Sequence, residues 1–210
     1  MLTADQMVRE QLEARGLRDP RVLQAMLAVP RHEFVPQELL DQAYDDHPLP
    51  IGAGQTISQP YIVAVMLQHL ALEPDERILE IGTGSGYVTA LLARLCAKVY
   101  SIERHAALAA SAETTLQRLG YANVTLRVGD GNQGWPEHAP YDAILVSAAA
   151  LEVPPALFSQ LQEGCRMIIP IGPPYSQELR LVRKVKGRPE SDFLEACRFV
   201  PLVEGEPSLR

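Results

Sequence analysis

Three observations predict an α/β fold built on a mostly parallel sheet. From Arg77 onward, short apolar runs alternate with helical patterns of about ten to fifteen residues, which is the signature of βαβ units. A glycine-rich turn, Glu80-Ile-Gly-Thr-Gly-Ser-Gly86, falls where the first of those strands meets its helix. Acidic residues, Glu103 and Asp130, then stand at the ends of the next two strands.

The elements follow in order. Thr3-Ala-Asp-Gln6 has the form of a capping box and opens a first helix. Pro20 suits the first turn of a helix over Arg21–Ala28. Pro30, Pro36, Pro48 and Pro50 then punctuate a stretch dominated by loops. The segment from Pro50 to Pro60 reads as an ordered loop that ends at a helix from Gln59 to Leu72. The alternating part has a strand at Arg77–Ile81, a helix at Gly86–Leu95, a strand at Lys98–Ile102 and a helix at Ala106–Leu119. Strands at Val124–Val128, Ala143–Ser147 and Met167–Ile171 continue the series. After Gly172, a strand starting at Leu179 and a second at Glu195–Val203 read as an antiparallel hairpin closing the sheet. Its basic run, Arg180, Arg183, Lys184, Lys186 and Arg188, reads as part of a solvated hairpin that protects a sheet edge rather than as a site for an acidic partner. The expected organisation is one domain over 1–210: a helical and loop region at 1–76, a βαβ core at 77–172 and C-terminal strands at 173–210.

Composition excludes several classes. With 47% hydrophobic and 21% charged residues in 210, the chain is neither disordered nor a fibrous repeat. Nineteen basic against 26 acidic residues give a net charge of −7, which argues against a general affinity for nucleic acid or anionic membrane. Cys96, Cys165 and Cys197 show no CxxC spacing, which excludes a disulfide framework and a cysteine zinc site. His32, His47, His69, His105 and His138 lack metal-ligand spacing, so no metal is expected. The first twenty residues lack the basic and apolar regions of a signal peptide, and no apolar run has the length of a membrane span. A monomeric, cytoplasmic protein with neither nucleic-acid nor membrane partner is the expectation.

The glycine turn lets the backbone approach a ligand closely, and the following helix offers unpaired N–H groups that favour an anion or carboxylate. Its G-x-G-x-G spacing after an acid differs from the G-x-G-x-x-G of dinucleotide sites. Ligands of open α/β sheets bind beyond the carboxyl ends of the strands, where Glu103 is placed to accept both hydroxyls of a ribose and Asp130 an adenine amino group. Asp142 precedes a strand instead and reads as structural, ordering the loop or the strand start. Ser58-Gln-Pro60 has the form of a helix N-cap with proline in the first turn, a role compatible with a hydroxyl that also bonds a substrate carboxylate.

The turn, Glu103 and Asp130 are similar to the cofactor elements of class I S-adenosylmethionine-dependent methyltransferases. More narrowly, the chain resembles the protein-L-isoaspartate O-methyltransferase family. Five segments carry that likeness: Arg31-His-x-Phe-Val-Pro36, Pro48 to Pro60 with Gly-Gln-Thr-Ile-Ser58, Leu79 to Tyr87, Gly129-Asp-Gly131 with Gly134-Trp135, and Arg198-Phe-Val-Pro-Leu202. The Gly-Gln-Thr-Ile-Ser segment is specific to the family, whereas the glycine turn is shared by many methyltransferases.

The resemblance implies a Rossmann-like class I methyltransferase fold with a seven-stranded sheet, S-adenosyl-L-methionine as cofactor and S-adenosyl-L-homocysteine as product. It implies isoaspartyl-containing proteins and peptides as substrates, esterified at the α-carboxyl. Cofactor contacts then fall on Thr56, Ile57, Glu80, Gly82, Thr83, Gly84, Ser85, Gly86, Glu103, Asp130 and Gly131. Substrate contacts fall on Gln55, Thr56, Ile57, Ser58, Val200, Pro201 and Leu202, with Ser58 the active-site residue. Val88 and Asn132, which flank the implied cofactor, depart from the commoner family pattern, as does Ser147-Ala-Ala-Ala150 after the fourth strand, where serine keeps the hydroxyl of the usual threonine and the loop lacks a proline. Cys165 replaces a glycine and reads as a packed bystander thiol.

The implied chemistry needs little from the protein. A sulfonium methyl is already activated, and an α-carboxyl with a pKa of about 3.3–3.7 is ionised at neutral pH. No general base or protein nucleophile is required, only in-line positioning with water excluded, which supplies on the order of 7–11 kcal/mol. The ester is a better electrophile than the carboxylate, so a neighbouring amide nitrogen closes a succinimide whose hydrolysis returns some normal aspartyl bonds. Two rival readings are a methyltransferase of the same fold acting on another carboxylate or small molecule, and an isoaspartyl-binding protein without turnover.

Overall fold

The computed structural model describes residues 2–205. Nine strands form two sheets. A small hairpin pairs β1 (Leu49–Gly52) with β2 (Gln55–Ile57). The main sheet has the order β5-β4-β3-β6-β7-β8-β9, built from β3 (Arg77–Ile81), β4 (Lys98–Glu103), β5 (Val124–Val128), β6 (Tyr141–Val146), β7 (Leu161–Ile171), β8 (Gln177–Val185) and β9 (Arg188–Cys197). Strands β3 to β7 pair in parallel, whereas β8 and β9 are antiparallel additions at one edge. The seven-stranded, mostly parallel α/β architecture expected from the sequence is the one observed.

Successive residues of the inner strands enter opposite cores, which is why these strands are apolar almost throughout. Ile78, Leu145 and Ile168 join one cluster with the N-terminal helices, and Leu79, Ile144, Val146 and Met167 join the other with Trp135 and Leu157. The helices are α1 (Ala4–Gln6), α2 (Pro20–Ala28), α3 (Pro60–Leu70), α4 (Tyr87–Leu95), α5 (Ala106–Arg118) and α6 (Pro155–Gln160). The capping box is present, with Thr3 Oγ1 accepting from the Gln6 amide at 3.2 Å. Past that turn the first helix widens into a π-helical stretch at Met7–Leu12 and ends at Gly16, whose φ of 93° lies in the left-handed region. Asp142 lies inside β6 rather than before it, and the strand start it holds is that of the neighbouring β3, where its Oδ2 accepts from the Arg77 amide at 2.8 Å.

Four expectations are corrected. The Pro50–Pro60 loop contains the β1–β2 hairpin, closed at Ala53-Gly54 with φ of 50° and 69°, the positive values a tight two-residue turn requires. The helix after it begins at Pro60 and ends at Leu70, because Ala71 takes a left-handed φ of 46°. The last strand among the described residues is β9, not Glu195–Val203: β8 begins at Gln177 opposite Cys197, so residues 198–203 run past its end. Finally, β7 begins at Leu161, six residues before Met167, and is preceded by α6, a helix hidden behind Pro154-Pro155.

Residues 198–202 leave the sheet edge and return across the strand ends. The Ala149 amide donates to the Val200 carbonyl and the Leu202 amide to the Ala149 carbonyl, both at 2.8 Å. The strand order reverses at β3, whose neighbours β4 and β6 lead away in opposite directions. A crevice therefore opens at the carboxyl ends of these strands, the place where open α/β sheets bind ligands.

Candidate active site

A cleft of about 260 Å³ occupies that crevice. Its floor is the glycine turn, one lip is the Gln55–Ser58 segment, and the opposite wall is Val200–Leu202. Of the residues singled out in the sequence, Gln55, Thr56, Ile57, Ser58, Gly82, Thr83, Gly84, Ser85, Glu103, Gly131, Val200, Pro201 and Leu202 line it. Glu80, Gly86 and Asp130 do not line it; Glu80 is fully buried and Asp130 is half-buried.

The glycines have distinct tasks. Gly82 and Gly84 hold φ of 91° and 55°, a region L side chains rarely adopt, and a Cβ on Gly84 would come within 3.3 Å of Ile51 Cδ1. Gly86 also has a positive φ, 89°, but a Cβ there would meet Ala112 and Leu116 at 3.3–3.4 Å. Its bareness therefore serves the packing of α5 against the turn. Gly131 closes the far end, where a Cβ would lie 2.4 Å from Ile81 Cγ2.

Three acids surround the turn in different states. Glu103 is 5% exposed; its Oε2 accepts from the Gly84 amide at 2.8 Å and its Oε1 from the His105 amide at 2.9 Å. A carboxylate carries about four acceptor sites, so two remain for hydroxyl donors in the cleft. Glu80 is fully buried, and its Oε2 accepts from both Thr89 and Ser101 hydroxyls at 2.6 Å while Oε1 has no hydrogen-bond partner among the described residues. Burial pushes its carboxyl up to about 7, against the pull of those two hydroxyls. Asp130 caps the short turn Gly131–Gln133 through the Asn132 amide at 2.9 Å and accepts from the Gly205 amide at 3.0 Å. Burial raises it, but these N–H donors prevail and hold it below the ordinary carboxylate range.

The lip corrects one expectation. Ser58 is not the N-cap of α3; that position is Gln59, which makes no side-chain capping bond. Asp46 supplies the acceptor instead, its Oδ1 taking the Tyr61 amide at 3.0 Å and its Oδ2 the Gln59 Nε2 at 2.8 Å. Among the described residues the Ser58 hydroxyl makes no hydrogen bond, and Ser58 lines the cleft.

Sequence reasoning missed Ile81, Tyr87, Ile102, Arg104, His105, Ala148 and Val203 as lining residues. Arg104 and His105 directly follow Glu103, so the strand-end rule that found Glu103 extends to them. Arg104 also donates to the carbonyls of Val203 at 3.0 Å and Gly205 at 3.2 Å, which pins the far wall. Val88 and Ser147, noted as departures in the sequence, do line the cleft, whereas Asn132 does not.

The glycine turn, the buried acid with spare acceptor sites and the bare Gly131 together fit a nucleoside joined to a small charged tail. Comparison with known proteins agrees. The profile of the family described as Protein-L-isoaspartate(D-aspartate) O-methyltransferase matches residues 3–207. A protein-L-isoaspartate O-methyltransferase of Opitutus terrae is 56% identical over 204 residues, covering 97% of this chain and 88% of the relative. A solved structure named protein-L-isoaspartate O-methyltransferase superposes with a TM-score of 0.87 at 31% identity, over 98% of this chain and 67% of its own. Another, a Plasmodium falciparum protein described as a putative protein-L-isoaspartate O-methyltransferase in complex with S-adenosyl-L-homocysteine, gives 0.86 at 29% identity over 98% of this chain and all of its own.

Proposed function

The chain belongs to the protein-L-isoaspartate(D-aspartate) O-methyltransferase family and is an S-adenosylmethionine-dependent methyltransferase of isoaspartyl residues; we propose that Ser58 orients the substrate carboxylate over a floor made by the glycine turn. When bound, S-adenosylmethionine supplies a methyl group activated by its sulfonium. Gly82 to Ser85 would hold its amino-acid end, Glu103 its ribose hydroxyls, and Gly131 with its capping residue Asp130 the adenine end. Glu80 and Gly86 support that floor from behind, and Val200–Leu202 form the wall along which a peptide lies.

The observation that carries the Ser58 role is its unengaged hydroxyl on the lip, freed from helix capping by Asp46. A carboxylate is an acceptor, and a hydroxyl without a protein partner is a donor ready for it. The carboxylate arrives ionised, so Ser58 has no proton to remove and orients rather than attacks. The ester formed on isoaspartate then leads through a succinimide to repair. Identity of 56% over 97% of the chain favours this substrate over another carboxylate or a mute binding role.

We propose further that the chain acts as one methyltransferase domain, a monomer in the cytoplasm. The net charge of −7 supports the lack of a nucleic-acid partner, and among the described residues no helix is long and apolar enough to cross a membrane. Replacing Ser58 with alanine tests the orienting role. The expected outcome is a fall in kcat/KM for an isoaspartyl peptide of at least about fivefold, roughly 1 kcal/mol in barrier; a smaller loss rules the role out.

A further inference from the structure

The Arg31–Pro36 motif, prominent in the sequence, contributes no residue to the cleft wall. Arg31 opens a 3₁₀ turn at Arg31–Phe34 and is wholly buried, 0% exposed. Its Nε donates to the Ala43 carbonyl and its Nη2 to the Ser58 carbonyl, both at 2.8 Å. The guanidinium carbon lies 4.8 Å from the centroid of the Tyr87 ring, and Phe34 from the same turn meets that ring edge-on at 5.6 Å. Tyr87 is the first residue of α4, directly after Gly86, and lines the cleft.

We infer that Arg31 is a positioning residue that sets Ser58 on the lip against the glycine turn on the floor, acting on methyl transfer without touching substrate. One side chain joins the two halves that the reaction must align: two nitrogens fix the loop and lip carbonyls, and the flat face rests on the first residue after the glycines. Only a planar fork does all three, because a lysine offers a single nitrogen and no plane to stack. The guanidinium sits there although its Nη1 is buried with no hydrogen-bond partner among the described residues, a costly state for a cation. A residue needed for packing alone would be better replaced by an apolar side chain of similar volume. In-line transfer is sensitive to such alignment, since a displacement of about 1 Å far from the chemistry can cost on the order of a hundredfold in rate.

The inference rests on the reading of Ser58 given above. Arg31→Lys and Arg31→Met are assayed at saturating S-adenosylmethionine with an isoaspartyl peptide, beside Ser58→Ala. Binding of S-adenosylhomocysteine is measured by calorimetry, and amide exchange is followed at Gln55–Gln59. Both Arg31 variants should lose tenfold or more in kcat, bind S-adenosylhomocysteine within threefold of the parent, and exchange the lip amides faster. A smaller fall in kcat overturns the inference, as does loss of S-adenosylhomocysteine affinity in step with kcat, which would mark a general scaffold. Should Arg31→Met not fold, Arg31→Lys carries the test. An impaired Ser58→Ala beside a fully active Arg31→Lys overturns the role of Arg31 alone, whereas a fully active Ser58→Ala overturns the reading of Ser58.

Discussion

Asp46 Oδ1 accepts the backbone N–H of Tyr61 at 3.0 Å, so the start of α3 is capped by a residue fifteen positions upstream. The same carboxylate takes Gln59 Nε2 at 2.8 Å and Arg15 Nη1 at 2.7 Å through Oδ2. Capping from a distance does what a local serine would do for the helix, and leaves the Ser58 hydroxyl without a structural duty.

Asp46→Ala should therefore lower stability by about 1–2 kcal/mol, the usual cost of a lost cap, and reduce turnover with it. Asp46→Asn keeps an oxygen for the Tyr61 amide but turns its NH₂ towards Gln59 Nε2 and Arg15 Nη1, so it should recover only part of the stability. Urea denaturation of the two variants beside the parent reads both effects.

Glu80 makes stability depend on pH. Its folded value of about 7 lies above the ordinary 4.5, so between those values the folded chain holds a proton that the unfolded chain releases. The contribution is fully present below about pH 4.5 and is lost as pH rises through about 7, a change on the order of 3 kcal/mol. Glu80→Gln keeps an oxygen for the Thr89 and Ser101 hydroxyls and cannot ionise. Denaturation midpoints across pH 5 to 8 should fall less steeply in that variant; an unchanged slope would place the titration elsewhere.

Glu103 is a two-sided acceptor, with one oxygen on the Gly84 amide and the other on the His105 amide. Glu103→Gln puts an NH₂ against one of those N–H donors, a mismatch of about 1–3 kcal/mol. It also removes acceptor sites for ribose hydroxyls. Calorimetric affinity for S-adenosylhomocysteine should drop at least about tenfold, the equivalent of roughly 1.4 kcal/mol.

Much of this was legible in the sequence, for physical reasons that differ by element. Strands buried at most positions announce themselves as apolar runs, so β3, β4 and β6 are legible to within one or two residues; edge strand β5 is only half-buried and shows instead as a short run between helix and turn signals. The glycine turn and Glu103 were legible because the strand-end rule ties position in the chain to position at the crevice. The β1–β2 hairpin was not, because strands of four and three residues are too short to show alternation and Pro50 lies inside one. Nor was the capping of α3: Ser58-Gln-Pro60 carries a genuine local signal, and a long-range partner, Asp46, overrides it. Arg31 was visible as part of a motif, but its link to Ser58 spans 27 residues and exists only in the folded chain.

The central claim is tested most directly with the purified protein, methyl-labelled S-adenosylmethionine and two peptides that differ only in one aspartyl or isoaspartyl linkage. Base-labile label should enter the isoaspartyl peptide alone. Label in neither peptide, with S-adenosylhomocysteine still bound, or equal label in both, would contradict the account.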